Sequence, residues 1–450
     1  MIKRITTNSL ILLALGIMIS GGCFRPTAPV TGFRFDFGTG KTAKGFTPVA
    51  PDRIYTEENT YGFLEGANLH SESAVGRDPL CKDFISADEP FIFALDVPEG
   101  NYNVRVTLDH PEGLTSSTLK AESRRLMVEK LETSPGEIAT VMFTTNVRYP
   151  ELENGGMVSL KPREVGHFNW DQRLTIEFNG DRPSVCALEV MPNDSAITVF
   201  LAGNSTVTDQ RYEPWSAWGQ MLPRFFKPGF ISVANHAESG EALKSFIAEN
   251  RLEKLMSLIH PGDYLFIQFA HNDQKPESSA YVEAFTGYKE YLKRYIDEAR
   301  SRGAIPVLVT SMLRRNFNDL GEVINTHGDY PAAMRQVASE EQVALIDLFE
   351  MSKVLYETLG PEDSKKLFVH YPAGSFPGQE EELADNSHHS TYGAYELAKC
   401  VVQGIRENVP ALATYLFEDL PPFDPARPGP FDQWALPLSP SYENETPAGR

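Results

Sequence analysis

The sequence predicts an all-β sandwich or jelly roll followed by an α/β/α domain with a parallel sheet. Residues 32–194 alternate polar and apolar side chains without a long helical pattern, which is typical of antiparallel strands. Residues 195–417 alternate short apolar runs with amphipathic helical stretches, which is typical of a parallel sheet with helices on both faces. The turn-forming run Pro192-Asn193-Asp194 marks the boundary between the two domains.

The first domain reads as short strands separated by Gly, Pro and Asn turns. Residues 101–108 have the sequence Asn-Tyr-Asn-Val-Arg-Val-Thr-Leu, the alternation expected of a strand with one buried face. The Pro-Glu-Gly link at 98–100 predicts a hairpin between neighbouring strands. The predicted strands include Phe33–Gly38, Phe91–Val97, Asn101–Asp109, Ile138–Arg148 and Leu174–Gly180.

The second domain is predicted from apolar runs that alternate with helical periodicity. We expect helices over Pro214–Phe226, from Glu241 to about Ile259, and around the apolar positions from Val282 to Ala299. The carboxyl ends of parallel strands meet at one edge of a sheet, and functional residues collect there. The predicted strands are Ile197–Ala202, Ile231–Ala237, Tyr264–Ala270, Ile305–Ser311 and Val343–Phe349.

Residues 1–23 predict a lipoprotein-type signal peptide, and residues 24–31 a short tether. Two basic residues precede an apolar run that is short for a membrane span, and small residues then lead to Cys23. This pattern resembles a bacterial lipobox, although Ser20 stands where Leu is usual. We expect a lipid on Cys23 and an exported bacterial protein that faces the periplasm or the cell surface. The alternatives are secretion with a free Cys23 and an uncleaved anchor.

Residues 418–450 form a Pro-rich C-terminal extension. Several large apolar side chains lie among its prolines, which favours an extended strap on the protein surface over a free coil. These side chains are Phe423, Phe431, Trp434 and Leu436.

Composition disfavours several classes of function. A net charge of −20 argues against nucleic-acid binding, and an acidic substrate would need a local basic patch to offset that charge. Cys81, Cys186 and Cys400 are scattered and predict no disulfide framework, so we expect small buried apolar side chains. The metal-binding spacings Cys-x-x-Cys and His-Glu-x-x-His do not occur, so we expect no metal site. No cofactor is expected, and the oligomeric state stays open.

Ser205 follows the first strand of the second domain, within Gly-Asn-Ser-Thr at 203–206. A serine on a strand-to-helix turn exposes its hydroxyl at the edge of the sheet. By itself this is a weak signal, because most such serines cap helices or belong to turns. The nucleophile elbow of α/β-hydrolases is excluded, since Val207 stands where that motif has its second Gly.

Three further blocks of polar residues strengthen the interpretation of Ser205. The second strand leads to Gly240, where backbone can closely approach a ligand. The third strand leads to Phe-Ala-His-Asn-Asp at 269–273, which places the Asn272 amide at the same edge. Asp385 and His388 are three residues apart, so one loop can supply a base and the carboxylate that orients it.

Ser, Gly, Asn and His blocks in this order resemble the SGNH (GDSL-like) hydrolase superfamily. The blocks at 203–206, 269–273 and 310–317, with Asn325–Pro331, are most similar to rhamnogalacturonan acetylesterases, and the resemblance covers about residues 196–407. The strand-rich half is similar to the galactose-binding-like domain of some bacterial members. The resemblance implies a flavodoxin-like three-layer α/β/α fold for the second domain.

The resemblance also implies a Ser-His-Asp triad. Ser205 is then the nucleophile, His388 the general base and Asp385 the residue that orients the imidazole. The oxyanion hole consists of the Ser205 and Gly240 amides and the Asn272 side chain.

Two positions depart from the family pattern. Asn204 stands where an Asp usually precedes the serine, and Ala270 stands where a Gly usually opens the third block. Neither is a catalytic position in the family, so we expect activity to survive.

Five residues are candidates for substrate contact, and four of them have a structural alternative. Arg314 and Arg315 follow a strand end, where Arg can grip the carboxylates of galacturonate, and otherwise form surface ion pairs. His271 is either a substrate contact or a packing residue of the pocket wall. His389 competes with His388 for the role of base and is otherwise a loop residue that contacts substrate or solvent. Thr206 adjoins the nucleophile.

Trp215 and Trp218 lie one helical turn apart on the first predicted helix. They serve either packing or sugar stacking, and packing is the commoner use of such residues.

The sequence therefore predicts a serine esterase that removes O-acetyl groups from a pectic polysaccharide, rhamnogalacturonan, through an acetyl-enzyme. Its expected partner is an acetylated acidic polysaccharide or oligosaccharide, with membrane contact only through the lipid anchor. One alternative is a lipase-like or general acyl esterase of the same superfamily. The other is a non-catalytic glycan-binding surface lipoprotein.

Overall fold

A computed structural model of the chain describes residues 32–73, 78–109 and 115–448. The predicted signal peptide, the tether and Cys23 lie outside the described residues. Within the described part, every helix is too short or too polar to cross a membrane.

The N-terminal part is a β-sandwich, as predicted. Its strands are β1 (Phe33–Phe37), β2 (Thr47–Val49), β3 (Tyr61–Phe63), β4 (His70–Ser73), β5 (Asp83–Ser86), β6 (Phe91–Asp96), β7 (Gly100–Asp109), β8 (Thr115–Ala121), β9 (Arg125–Thr133), β10 (Ile138–Val147), β11 (Arg173–Asp181), β12 (Ser184–Val185) and β13 (Ala187–Pro192). One five-stranded sheet has the order β10-β7-β13-β1-β2 and the other β3-β6-β11-β8-β9, with a smaller sheet β12-β5-β4. Aromatic side chains fill the space between the sheets. Phe93 packs edge-on against Phe37 and Phe63, with ring centroids 5.2 and 5.5 Å apart.

The Pro-Glu-Gly link at 98–100 does not close a hairpin, so that prediction is wrong. β6 pairs with β3 and β11, whereas β7 pairs with β10 and β13, so the link carries the chain from one sheet to the other. Tyr102 Oη donates to Pro98 O at 2.7 Å and fixes this corner from inside. A short turn signal does not distinguish a hairpin from a crossing between layers.

The C-terminal part contains the predicted parallel sheet. Its strands are β14 (Ile197–Gly203), β15 (Ile231–Asn235), β16 (Tyr264–Gln268), β17 (Ile305–Val309) and β18 (Ala344–Ile346), in the order β15-β14-β16-β17-β18. Successive residues of β14 point to opposite faces. Leu201 joins an apolar cluster with Trp218 and Leu397, and Phe200 joins another with Phe246. Helices thus cover both faces, and the three-layer α/β/α prediction is confirmed.

The helices differ from the prediction at two places. They are α1 (Trp218–Met221), α2 (Leu243–Ala248), α3 (Arg251–Leu258), α4 (Lys289–Ser301, after a π-helical turn at Ala284–Tyr288), α5 (Tyr330–Glu341), α6 (Leu348–Asp363), α7 (Thr391–Asn408) and α8 (Pro410–Ala413). α1 begins four residues after Pro214, because isolated β-bridges hold Glu213 and Ser216 in an extended segment. The helix expected from Glu241 is split at Asn250, whose φ of 61° is left-handed and tolerated by Asn.

The sandwich and the parallel sheet belong to one compact unit, Gly32–Arg450. Buried ion pairs cross between them. Arg125 Nε lies 2.6 Å from Asp209 Oδ2, and Arg251 Nη2 lies 2.5 Å from Glu164 Oε2. Each of these four side chains is almost completely excluded from solvent.

The Pro-rich extension is an extended strap, but part of it is buried. Lys120 Nζ donates to Ser439 Oγ at 2.7 Å and to Pro437 O at 2.9 Å. Leu436 and Ser439 are buried, so the strap is partly integrated with the sandwich rather than lying wholly on the surface.

Candidate active site

Ser205 lies two residues after the carboxyl end of β14, in a turn that its neighbours hold. Asn204 Oδ1 accepts hydrogen bonds from the amide and the hydroxyl of Thr206, at 3.1 and 2.9 Å. Gln268 Nε2, at the end of β16, donates to Thr206 Oγ1 at 2.8 Å. Thr206 therefore supports the turn, and its buried hydroxyl is not available to substrate. Asn204 replaces the usual Asp as an acceptor, while its Nδ2 is buried without a partner in the described structure.

Asp385 and His388 lie on a strand rather than on the expected loop. β19 (Phe368–Tyr371) pairs with β20 (Leu383–His389), but the register shifts between Phe368 and His370. Regular alternation would send residues three apart to opposite faces of a strand. In the irregular backbone of β20, Asp385 instead contacts His388, and His388 contacts Ser205.

The three side chains form one hydrogen-bonded line. Asp385 Oδ2 lies 2.8 Å from His388 Nδ1, and His388 Nε2 lies 2.9 Å from Ser205 Oγ. Asp385 Oδ1 accepts from the amides of Ser387 and His388, at 2.7 and 3.0 Å. Burial acts to raise the pKa of Asp385, but the bonds from His388 and from these amides outweigh it and lower the pKa to about 2. The ionised carboxylate fixes the hydrogen of the imidazole on Nδ1, which leaves Nε2 as an acceptor for the Ser205 hydroxyl.

The predicted oxyanion donors Gly240 and Asn272 each follow a strand of the parallel sheet, β15 and β16 respectively. Gly240 adopts a left-handed φ of +83°, which a residue with a Cβ would adopt at a cost. Asn272 Nδ2 donates one hydrogen to Glu241 O at 2.9 Å and has a second hydrogen to donate. Among the described residues, no group accepts a hydrogen bond from the backbone amide of Ser205 or from that of Gly240.

Ala270 has a φ of +155°, a backbone conformation that favours glycine. This explains physically why the family usually has Gly at this position. The His-Asn-Asp block at 271–273 follows this residue directly.

His271 packs behind the site. It is fully buried against His327, with ring centroids 4.4 Å apart and the rings nearly perpendicular. Burial lowers the pKa of His271 well below its usual value, and the neighbouring His327 adds to this effect, so the ring is neutral. The position favours the pocket-wall alternative over direct substrate contact.

His389 does not face substrate, and it does not approach Ser205 as His388 does. Its Nε2 lies 3.0 Å from the Tyr356 hydroxyl, and its ring packs on Phe368 with centroids 4.5 Å apart. The candidate role of His389 in substrate binding is therefore corrected to a core contact. Neighbouring residues of a strand point to opposite sides, which separates it from His388.

Arg314 and Arg315 are used within the protein. Arg314 donates to Thr326 Oγ1 at 3.2 Å and to His271 O at 3.3 Å. Arg315 donates to Asn386 Oδ1 at 2.9 Å and so steadies the segment between Asp385 and His388. In the described structure neither arginine forms an ion pair, so the surface ion-pair alternative is wrong. For Arg315, the observed contacts do not support binding of a substrate carboxylate.

The two tryptophans differ from the predicted pair on one helix. Trp218 opens α1, is fully buried and donates from Nε1 to Gln268 Oε1 at 2.7 Å, which is a packing role. Trp215 precedes the helix and is 2% exposed, but it lines two cavities beside the site.

Sequence reasoning missed the residues that hold the segment after Ser205. Arg124 Nη1 donates to the carbonyls of Gln210 and Trp215, at 3.1 and 3.0 Å, and Arg125 pairs with Asp209. Arg124 ends the turn between β8 and β9 and Arg125 opens β9, and no local pattern connects them with a serine 80 residues later.

The cysteines are buried, as expected, but two of them are not isolated. Cys81 and Cys186 belong to one apolar cluster, and their sulfur atoms and an Asp109 oxygen all lie within 4.8 Å of one another. The sequence separation of 105 residues concealed this proximity. Cys400 is buried in the core, and burial raises the pKa of its thiol.

Known proteins resemble both parts of the chain. The model of the GDSL-like lipase/acylhydrolase family matches residues 201–371. Rhamnogalacturonan acetylesterase RhgT of Bacillus subtilis is 44% identical over 213 residues, which cover 47% of this chain and 90% of that protein. The chain belongs to the GDSL-like lipase/acylhydrolase family. A galactose-binding domain-like model of β-agarase and YXIM esterase-like proteins matches residues 33–131.

Two further relatives of this GDSL-like protein are also from Bacillus subtilis. The probable rhamnogalacturonan acetylesterase YesY is 39% identical over 213 residues, which cover 46% of this chain and 92% of that protein. The uncharacterized esterase YxiM is 26% identical over 384 residues, which cover 83% of this chain and 90% of that protein. Its match extends over most of the chain.

Proposed function

We propose that this GDSL-like protein is a carbohydrate acetylesterase that removes O-acetyl groups from a pectic polysaccharide, with rhamnogalacturonan as its substrate. The observation that carries the proposal is the line from Asp385 through His388 to Ser205, with contacts of 2.8 and 2.9 Å. The Ser205 and Gly240 amides also have no acceptor among the described residues. The names of the relatives RhgT and YesY support the acetylated pectic substrate.

The proposed reaction begins with attack of Ser205 Oγ on the carbonyl carbon of the acetyl ester. His388 Nε2 accepts the serine proton as the carbon–oxygen bond forms, and Asp385 stabilises the imidazolium. The negative charge on the carbonyl oxygen receives hydrogen bonds from the Ser205 and Gly240 amides and from Asn272 Nδ2. Removing one such donor typically costs about 2.7–4 kcal/mol of barrier.

The leaving group is the hydroxyl oxygen of the sugar. His388 returns the proton to that oxygen as the ester bond breaks, which leaves an acetyl group on Ser205. Water then attacks the acetyl-enzyme with His388 again as base, and acetate and free Ser205 are the products. No metal or cofactor takes part in the steps we propose.

The test is acetate release from a panel of esters at matched acetyl content. We expect the highest kcat/KM on acetylated rhamnogalacturonan, a lower value on acetylated xylan and homogalacturonan, and measurable turnover of an aryl acetate. Preference for long-chain acyl esters would favour a general acyl esterase. No release from any ester by folded protein would favour a non-catalytic glycan-binding role.

We also propose that the protein is exported and anchored through a lipid on Cys23. The support is the sequence of residues 1–23, with its basic start, short apolar run and small residues before the cysteine. Metabolic labelling with an alkyne fatty acid tests this proposal. The label should appear on wild-type protein and be absent from Cys23→Ser, and equal labelling of both would contradict it.

A further inference from the structure

A cavity of about 370 Å³ is lined by Ser239, the residue before Gly240, and by residues from both halves of the molecule. Arg163 and His167 come from the sandwich, in the segment between β10 and β11. Arg211 and Tyr212 come from the segment that follows Ser205. A Cβ atom at Gly240 would lie 3.7 Å from Arg163 Nη2, so the guanidinium borders one of the oxyanion-hole candidates.

Arg163 is the cation at this cavity, and the protein accepts hydrogen bonds from only part of its guanidinium. Arg163 Nε lies 3.0 Å from Glu238 Oε1, and Nη2 donates to Ser239 O. Arg163 Nη1 has no acceptor among the described residues, and the side chain is 41% exposed. Arg211, by contrast, is buried and pairs with Glu238 at 2.7 Å. Arg163 is therefore the group that can bind an incoming anion.

The aromatic wall of the cavity suits a sugar ring. Tyr212 Oη and His167 Nε2 lie 3.1 Å apart, and their rings meet edge to face with centroids 5.3 Å apart. Trp215 completes this wall. Aromatic faces combined with a few fixed polar groups are typical of small-molecule sites.

A carboxylate of the protein itself already lies at this cavity. The strap places Glu443 there, anchored by the Glu443 amide, which donates to Glu213 O at 3.1 Å. Burial raises the pKa of Glu443, Glu445 adds to the rise, and the charges of Arg211 and Arg163 oppose it. The arginines thus act electrostatically on an anion in this position.

Trp215 also lines a second cavity, which is acidic and has no lysine or arginine in its lining, whereas the first cavity holds Arg163 and Arg211 together with two glutamates of the strap. The second cavity measures about 430 Å³ and is lined by Glu380, Glu381 and Glu382 together with Asp385. A polyanion bound across Ser205 would be repelled there and attracted at Arg163. The overall charge of −20 makes such a local cation necessary for an acidic substrate.

We propose that the cavity at Arg163 is a subsite for an acidic sugar, which binds the uronate carboxylate next to the acetylated residue. The inference rests on the proposed function and deepens it, because it gives the sandwich a direct role in substrate recognition. Glu443 of the strap competes with the substrate carboxylate for Arg163.

Binding of deacetylated rhamnogalacturonan oligosaccharide, measured by isothermal titration calorimetry, tests the subsite without requiring turnover. We expect Arg163→Gln to weaken binding roughly tenfold, the size of one charge-assisted hydrogen bond. The same substitution should weaken binding of a neutral galactan oligosaccharide much less. Arg34→Gln is the matched control, since Arg34 is an exposed arginine of β1 that does not line the cavity, and it should change the affinity less than twofold.

The Glu443→Gln variant should act in the opposite direction and tighten binding of the acidic oligosaccharide. Unchanged or weaker binding by this variant contradicts the competition with the strap. Three results would overturn the subsite. Arg163→Gln could bind the acidic oligosaccharide as tightly as wild type, or Arg34→Gln could lose as much affinity as Arg163→Gln. Arg163→Gln could also lose affinity equally for the acidic and the neutral oligosaccharide. Acetate release by the wild-type protein in the same preparation separates failure of the subsite from failure of the proposed esterase activity.

Discussion

Replacement of Asp385 by Asn probes the triad with almost no change of shape. Asp385 Oδ1 accepts from the Ser387 and His388 amides, so an Asn at this position would keep its carbonyl oxygen there. Its NH₂ group would then replace Oδ2, 2.8 Å from His388 Nδ1. An NH₂ group only donates, so Nδ1 would become the acceptor and the hydrogen would move to Nε2. His388 could then no longer accept the proton of Ser205.

The expected loss follows from that change of tautomer. The corresponding substitution in a Ser-His-Asp triad lowers kcat by about 10⁴, which is about 5 kcal/mol of barrier. The fold should also lose stability, because lowering the pKa of Asp385 to about 2 contributes about 2 kcal/mol at neutral pH. This contribution is present above the ordinary Asp pKa and disappears as pH falls through the folded value.

The assay is hydrolysis of an aryl acetate at pH 7, with thermal unfolding of the same samples. The matched control is Asp363→Asn, which removes an equally charged but exposed carboxylate that pairs with Lys366. We expect the control to keep wild-type kcat. If Asp385→Asn keeps more than about a tenth of wild-type kcat, the assigned tautomer, and with it the role of His388 as base, is wrong.

Three further predictions concern the surroundings of the triad. His388→Ala should abolish activity, whereas His389→Ala should lose about 1–3 kcal/mol of unfolding free energy while its folded fraction keeps kcat; loss of kcat in His389→Ala but not in His388→Ala contradicts the orientation of β20. Ala270→Gly should raise the unfolding free energy by about 1 kcal/mol in urea titrations, since it relieves a positive φ, and a less stable variant would argue against strain. Burial raises the pKa of Glu122 to about 8, so wild-type stability should fall as pH rises from about 5 to 8. Glu122→Gln should show a smaller fall, because the buried Asp273, whose pKa burial raises to about 7, still contributes; identical pH profiles of the two proteins in guanidinium unfolding would refute the prediction for Glu122.

The sequence was sufficient for the fold because apolar periodicity changes visibly at residue 194. Uninterrupted apolar runs such as the one in β14 belong to a sheet that is buried on both faces, and the alternation in β7 belongs to one that is half covered. The link at 98–100 was not predictable in the same way. Whether two strands pair or cross between layers depends on contacts with distant strands, which local turn chemistry does not encode.

The candidate site was predictable where local blocks carry it and not where tertiary contacts do. Ser205, Gly240 and Asn272 follow strand ends, so a topology of parallel strands brings them together. His388 and His389 could be ranked by spacing, but their opposite directions depend on the irregular pairing of β20. The roles of Arg125 and Arg163 had no sequence signal, because both act across the boundary between the sandwich and the parallel sheet.

Acetate release from acetylated rhamnogalacturonan, measured side by side for wild-type protein and Ser205→Ala, tests whether Ser205 is the nucleophile of an acetylesterase. We expect steady release by the wild type and a loss of at least about 10⁴-fold in the variant. The variant should keep its melting temperature, since only a hydroxyl is removed. Equal release by both proteins, or none by folded wild type, would contradict the claim that Ser205 is the nucleophile of an acetylesterase.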